Sequence, residues 1–139
     1  MGIVYAEITL RNTGDVTNVR RGIIKEPEIR QTRVKALVDT GAATMIINET
    51  IRQQLGLELE TEDIFEVELA DGSKQKYVYT EPVQIQWKNR KSICRAVLIP
   101  SASEALLGAI PLEDMDLIIN PSKQELTGAH GEEVVHKIK

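Results

Sequence analysis

Apolar and polar positions along the chain alternate in short runs, most of them with the two-residue period of a half-buried strand. Ile3 to Leu10 reads this way, and Gln31 to Val38 closes on the apolar triplet Ala36-Leu37-Val38. Phe65, Val67 and Leu69 alternate with Glu66 and Glu68, Tyr77 and Tyr79 share one face of Lys74 to Tyr79, and Val83, Ile85 and Trp87 mark a further strand. Ser92 to Ile99 returns toward Pro100. Leu117-Ile118-Ile119 is a short strand closed by Asn120-Pro121, with Lys123 to Leu126 as its candidate partner. Helical signals are fewer. Asn48 suits an N-cap, Ile51 and Leu55 share a face, and Gly56 stands where a glycine ends a helix, which predicts a short helix over Asn48 to Leu55. Pro111 fits the first position of a second helix reaching Met115.

Turn chemistry divides the runs. Asn12-Thr13-Gly14-Asp15 reads as a turn, and Val16 to Arg30 as a strand plus a loop broken at Glu26-Pro27-Glu28. Asp71-Gly72 favours a tight hairpin, Lys88 to Lys91 turns, and Ser101 to Glu104 is a loop. Many short strands with one or two short helices predict a mostly-β barrel or sandwich.

Length and charge narrow the reading. The 139 residues make one domain, taken as residues 1–127, with 128–139 as a tail or terminal strand. A net charge of −4 argues against phosphate backbones, so no nucleic-acid partner is expected, and Arg20, Arg21, Arg30, Arg33 and Lys35 read as a solvated face. No apolar run approaches bilayer length, so no membrane partner is expected either. The start lacks a basic region ahead of a long apolar core, and the single Cys94 cannot form an internal disulfide. Together these predict a cytoplasmic protein, with Cys94 as a buried core thiol.

One stretch carries candidate chemistry. In Ala36-Leu37-Val38-Asp39-Thr40-Gly41-Ala42-Ala43-Thr44-Met45-Ile46-Ile47, an apolar run enters an Asp-Thr-Gly corner and a second apolar run leaves it. Gly41 allows a sharp turn and close approach of another backbone. A carboxylate at the mouth of such a turn is in a costly place, which points to acid–base chemistry on a water molecule. Nothing else competes. His130 and His136 lack metal-ligand spacing and read as solvated, so no metal or other cofactor is expected. Glu66 and Glu68 read as the polar face of a strand.

Ala36 to Ala42, ALVDTGA, resembles the active-site signature of the retropepsin-like aspartic peptidases. Ala105-Leu106-Leu107-Gly108-Ala109-Ile110-Pro111-Leu112-Glu113, about 65 residues later, resembles that family's second signature of two apolar residues and a glycine before a short helix. The stretch from Leu107 to Leu126 is most similar to soluble bacterial members, and the resemblance runs from about Val4 to Leu126.

The resemblance implies a closed β-barrel that works as a homodimer on a polypeptide substrate. Asp39 would be the catalytic carboxylate, and because the chain has one Asp-Thr-Gly, a second copy would supply the other. Thr40 would bond across the twofold axis, Gly41 would admit substrate backbone, and Leu106, Leu107 and Gly108 would support the loop. Ala42, Ala43 and Thr44 would border the substrate. The Leu69–Tyr79 hairpin would be the flap, with Ala70, Asp71, Gly72 and Ser73 at its tip. Two departures stand out. Retroviral members usually have Asp and Arg where this chain has Ala43 and Ala109, so the rim is less polar, and Asp71 adds a charge to the flap. The chain therefore reads as an aspartic endopeptidase or, in another class, as a non-catalytic peptide-binding dimer that keeps the acid-protease fold.

Overall fold

The computed structural model of the chain describes residues 3–68 and 71–130. Their elements follow in the order β1 (Tyr5–Asn12), α1 (Thr13–Arg20), β2 (Gln31–Val38), β3 (Met45–Ile47), α2 (Glu49–Leu55), β4 (Leu59–Glu68), β5 (Lys74–Trp87), β6 (Arg90–Leu98), β7 (Leu106–Leu107), α3 (Ala109–Asp114), β8 (Leu117–Asn120) and β9 (Glu125–Gly128). Seven strands form one sheet in the order β1-β2-β7-β3-β6-β5-β4, and β1 also pairs with β5. The pairing thus returns to its start: six strands make a ring, and β4 extends from β5 beyond it. β8 and β9 form a separate antiparallel pair, Leu117 opposite Gly128.

The two-residue period builds this ring. Along β1, Ala6, Ile8 and Leu10 turn inward while Tyr5, Glu7 and Thr9 turn outward. Met45 and Ile47 from β3, Val83 and Ile85 from β5, and Leu107 from β7 join them in one core with Leu55 and Leu57. Each side chain removed from water there contributes about 1.5–3 kcal/mol. The predicted α2 is present with both ends: Asn48 Oδ1 accepts from the Ile51 N–H at 2.9 Å, and Gly56 takes φ +62°. Leu117 to Asn120 pairs with Glu125 to Gly128, two residues beyond the expected Lys123 to Leu126. Residues 131–139, most of the predicted tail, lie outside the described residues.

Three expectations need correction. Asn12 to Asp15 is not a free turn, and no strand follows it. Asn12 ends β1 and caps α1, its Oδ1 accepting from the Asp15 N–H at 3.0 Å. Among the described residues there are three α-helices rather than one or two. Arg30 is exposed, as its expected place on a solvated face implies, and it also clasps the buried Asp15 carboxylate through Nε at 2.9 Å and Nη2 at 3.0 Å. Finally, Lys74 to Trp87 is one strand, not two. Pro82 brings no N–H to the ladder, so the register with β6 jumps between Tyr79 and Pro82 while the strand runs on.

Candidate active site

Asp39 sits where β2 leaves the sheet, and backbone bonds to Val4 and to the Ala105–Leu107 segment fix that exit. The Leu37 N–H donates to the Ala105 carbonyl at 2.9 Å, Val38 to Val4 at 2.8 Å, and Asp39 to Leu107 at 3.0 Å. β7 therefore lies between the strand that enters the corner and the one that leaves it, parallel to β2 (Val38 beside Leu107) and antiparallel to β3 (Ile46 opposite Leu106). Inside the corner the Ala42 N–H reaches the Asp39 carbonyl at 3.1 Å, and the Gly41 N–H reaches Asp39 Oδ1 at 2.9 Å. That last bond sets the direction of the carboxylate.

α3 closes the corner from behind. The first N–H groups of a helix have no partner within it. Here those of Ala109 and Ile110 donate to the Ala42 and Ala43 carbonyls, each at 2.8 Å. The helix accordingly begins at Ala109, and Pro111 falls at its third position rather than its first. Gly108 makes this approach possible. A Cβ there would lie 2.2 Å from the Thr44 carbonyl oxygen and 2.5 Å from that of Ala42. Its φ is −93°, so what it provides is room and not an unusual conformation. Gly41 likewise makes its turn without a positive φ; a Cβ at that position would come 3.2 Å from Asp39 Oδ1.

The other candidates fall on both sides of the corner. Asp39 and Ala42 are half-buried, and Thr40, Gly41 and Ala43 are exposed. Thr44 turns inward, its hydroxyl donating to the Arg95 carbonyl at 2.7 Å, with Cys94 Sγ at 3.4 Å. Cys94 is half-buried against the core, and burial raises its thiol pKa. Leu107 and Gly108 are buried and Leu106 half-buried behind the loop.

Far along the chain, β4 and β5 make the predicted hairpin, paired from Phe65 opposite Tyr77 to Glu68 opposite Lys74. The Phe65 ring packs on Tyr77 and Tyr79, with centroids 6.2 and 4.9 Å apart. Asp71, Gly72 and Ser73 are exposed at its tip, and Asp71 Oδ1 accepts from the Ser73 hydroxyl and N–H, which lowers the Asp71 pKa. Leu69 and Ala70 lie outside the described residues.

Sequence reading missed the backbone carbonyls of Val4, Ala105, Ala42 and Ala43, which hold the corner but carry no side-chain mark. It also treated His130 as solvated. That residue is exposed, yet its Nδ1 lies 2.7 Å from Asp116 Oδ1.

A family profile described as gag-polyprotein putative aspartyl protease matches residues 26–114. The match takes in every element from β2 to α3, and so the Asp39 corner with β7 and Gly108 behind it. The chain belongs to this family. It is a retropepsin-like, aspartyl-protease-type domain, as ALVDTGA and the glycine before α3 implied. β1, α1, β8 and β9 lie outside the matched stretch. No curated protein matches the chain. Among the described residues no helix of the aspartyl-protease domain is long and apolar enough to cross a membrane, and no three His, Cys, Asp or Glu side chains gather as metal ligands.

Proposed function

We propose that the protein is a homodimeric aspartic endopeptidase whose active site forms where two copies bring their Asp39 corners together. The carrying observation is that one Asp-Thr-Gly loop is held by backbone bonds to its own chain yet leaves Thr40 and Ala43 exposed. Exposed apolar side chains on the segments bonded to the corner support a second copy there. Ile3 (68% exposed) and Tyr5 (42%) flank Val4, whose carbonyl holds Val38, and Ile110 (52%) is bonded to Ala43.

In the dimer, each six-strand ring acts as the closed barrel of an acid protease and delivers one carboxylate to the twofold axis. Two carboxylates about 3 Å apart cannot both ionise, so the pair holds one proton between them and titrates as a unit. One member takes a proton from the attacking water while the other donates to the peptide carbonyl. Thr40 bonds across the axis, and Gly41 lets the substrate backbone lie close. The β4–β5 hairpin, with Asp71, Gly72 and Ser73 at its tip, closes over the polypeptide. Ala43 and Ala109 leave the rim apolar. Thr44, facing Arg95, acts from behind the loop rather than on the substrate.

The test is digestion of an unstructured polypeptide across pH by the wild-type chain and by Asp39→Asn. The amide is nearly isosteric but cannot exchange the proton, so cleavage should fall at least about 100-fold while circular dichroism stays unchanged. Equal turnover by the two proteins would exclude Asp39 as the catalytic group. A wild-type dimer that binds the polypeptide and leaves it intact would instead mark a peptide-binding module.

A further inference from the structure

β4 leaves the ring with an open edge. Its ten residues, Leu59–Glu68, pair with β5, and among the described residues no strand pairs with their other side. A long unpaired edge offers a row of N–H and C=O groups to any extended chain, and folded proteins commonly protect such edges with charge. Here the charge has a single sign. β4 carries Glu60, Glu62, Asp63, Glu66 and Glu68 and neither lysine nor arginine. Residues 58–81 hold eight carboxylates against two lysines, a net charge of −6 in a chain whose total is −4, so the remainder is net positive.

These charges fall at defined places in the ladder. Glu66 lies opposite Lys76 and Glu68 opposite Lys74, with Lys74 Nζ 3.6 Å from Glu66. Arg95 meets Asp63 at 2.7 Å and Glu60 at 3.7 Å. All three cations belong to β5 or β6, on the paired side of β4, and among the described residues no ion pair reaches β4 from its open side. Ile64, on the face of Glu66 and Glu68, is 56% exposed, and Phe65 and Val67 are half-buried on the other face.

We propose that the open edge of β4 takes up an extended, lysine- or arginine-rich polypeptide segment as an added strand. The backbone of residues 64–68, where the ladder with β5 is regular, holds the segment by main-chain hydrogen bonds. Its basic side chains fall beside Glu66 and Glu68, and the alternate ones, small and apolar, lie on the face of Phe65 and Val67. A second copy of β4 does not suit this edge, because it would set five carboxylates against five. The charge calls for a chain of opposite sign. On the peptidase reading, on which this last step rests, the segment belongs to the substrate, and basic polypeptides are the class that the hairpin holds.

The experiment uses the full-length Asp39→Asn chain, so that the probe is not consumed. The probe is the blocked peptide acetyl-Lys-Val-Lys-Val-Lys-Val-Lys-amide, added to about 2 mM while amide chemical shifts are followed. Shifts should move at residues 64–68, and those amides should exchange more slowly with solvent. Glu66→Gln and Glu68→Gln, both at exposed positions, should weaken binding about threefold apart and about tenfold together. A peptide with the same four lysines separated by proline pairs, which cannot form a ladder, should bind at least about tenfold more weakly, and the glutamate counterpart of the probe should not bind. Unmoved shifts at residues 64–68, equal binding of either control peptide, or full affinity in the double variant would overturn the proposal. The same shifts on concentrating the chain without peptide would also overturn it, by naming a second copy as the occupant. A basic peptide that binds here and is left whole by the wild-type chain would sink the peptidase reading alone, and cleavage without binding at this edge would sink this one alone.

Discussion

At Gly108 the chain passes so close to the Asp39 corner that a single added carbon would sit inside the contact distance of two carbonyl oxygens. Both are backbone atoms and cannot swing aside. Gly108→Ala should therefore cost about 1–3 kcal/mol, seen as a lowered midpoint in thermal unfolding, and should reduce cleavage in whatever fraction remains folded. A wild-type midpoint would mean that the corner is softer than its hydrogen bonds imply. At this scale the sequence was informative wherever a side chain does the work. Asp39, the Asn48 cap and Gly56 were legible because each has a residue-specific chemistry. The carbonyls of Val4, Ala105 and Leu107 were not, because any residue offers the same oxygen.

α1 shows what periodicity overlooks among the elements. Its one buried residue is Asp15, so it has no apolar stripe to betray it. Polar contacts hold it instead: the Asn12 cap, the Asp15–Arg30 pair, and the Thr13 hydroxyl on the Pro82 carbonyl at 2.7 Å. The ring strands and α2 were readable because hydrophobic burial organises them. The Arg30 side chain, by its hydrogen bonds, holds the Asp15 carboxyl below its ordinary value of 3.8. A carboxyl whose pKa is lower in the folded chain stabilises that chain above the unfolded value, and the gain is lost as pH falls through the folded one. Stability measured by urea unfolding should thus be level above about pH 5 and decline below about pH 4, and Asp15→Asn should flatten part of that decline. A pH profile identical to wild type would show that the pair is energetically idle. The β4–β5 hairpin sits at the other extreme, exposed along both strands near its tip. Its amides from residue 71 to 76 should exchange with solvent quickly in the free protein and slow on adding a transition-state mimic. Strong protection without ligand would make it an ordinary packed hairpin.

For the whole molecule, the decisive quantity is the number of chains per active site. Mixing wild-type and Asp39→Asn chains gives a direct count. If each site needs two Asp39 residues, random pairing in an equal mixture leaves about a quarter of the dimers active, and cleavage should fall to about half of the value expected from the wild-type dimers alone. Activity unchanged by the added variant would show that one chain suffices. On the proposed reading, the second carboxylate is not a matter of local pattern; it is inferred from there being one Asp-Thr-Gly in a chemistry that uses two.

The ring itself sets a timetable for the chain's birth. β1 finds one partner early, Tyr5 opposite Leu37, but its other edge waits for β5, where Thr9 meets Gln86. As the chain leaves the ribosome, its first strand must stay half-paired while most of the later segments emerge, and the core it encloses stays open for as long. Such distant pairings are slow, typically milliseconds to seconds rather than microseconds. The Asp39 corner, which needs Val4 from the beginning of the chain and Leu107 from far along it, is among the last parts to take shape. Until Leu107 has emerged, a nascent copy therefore carries no finished Asp39 corner.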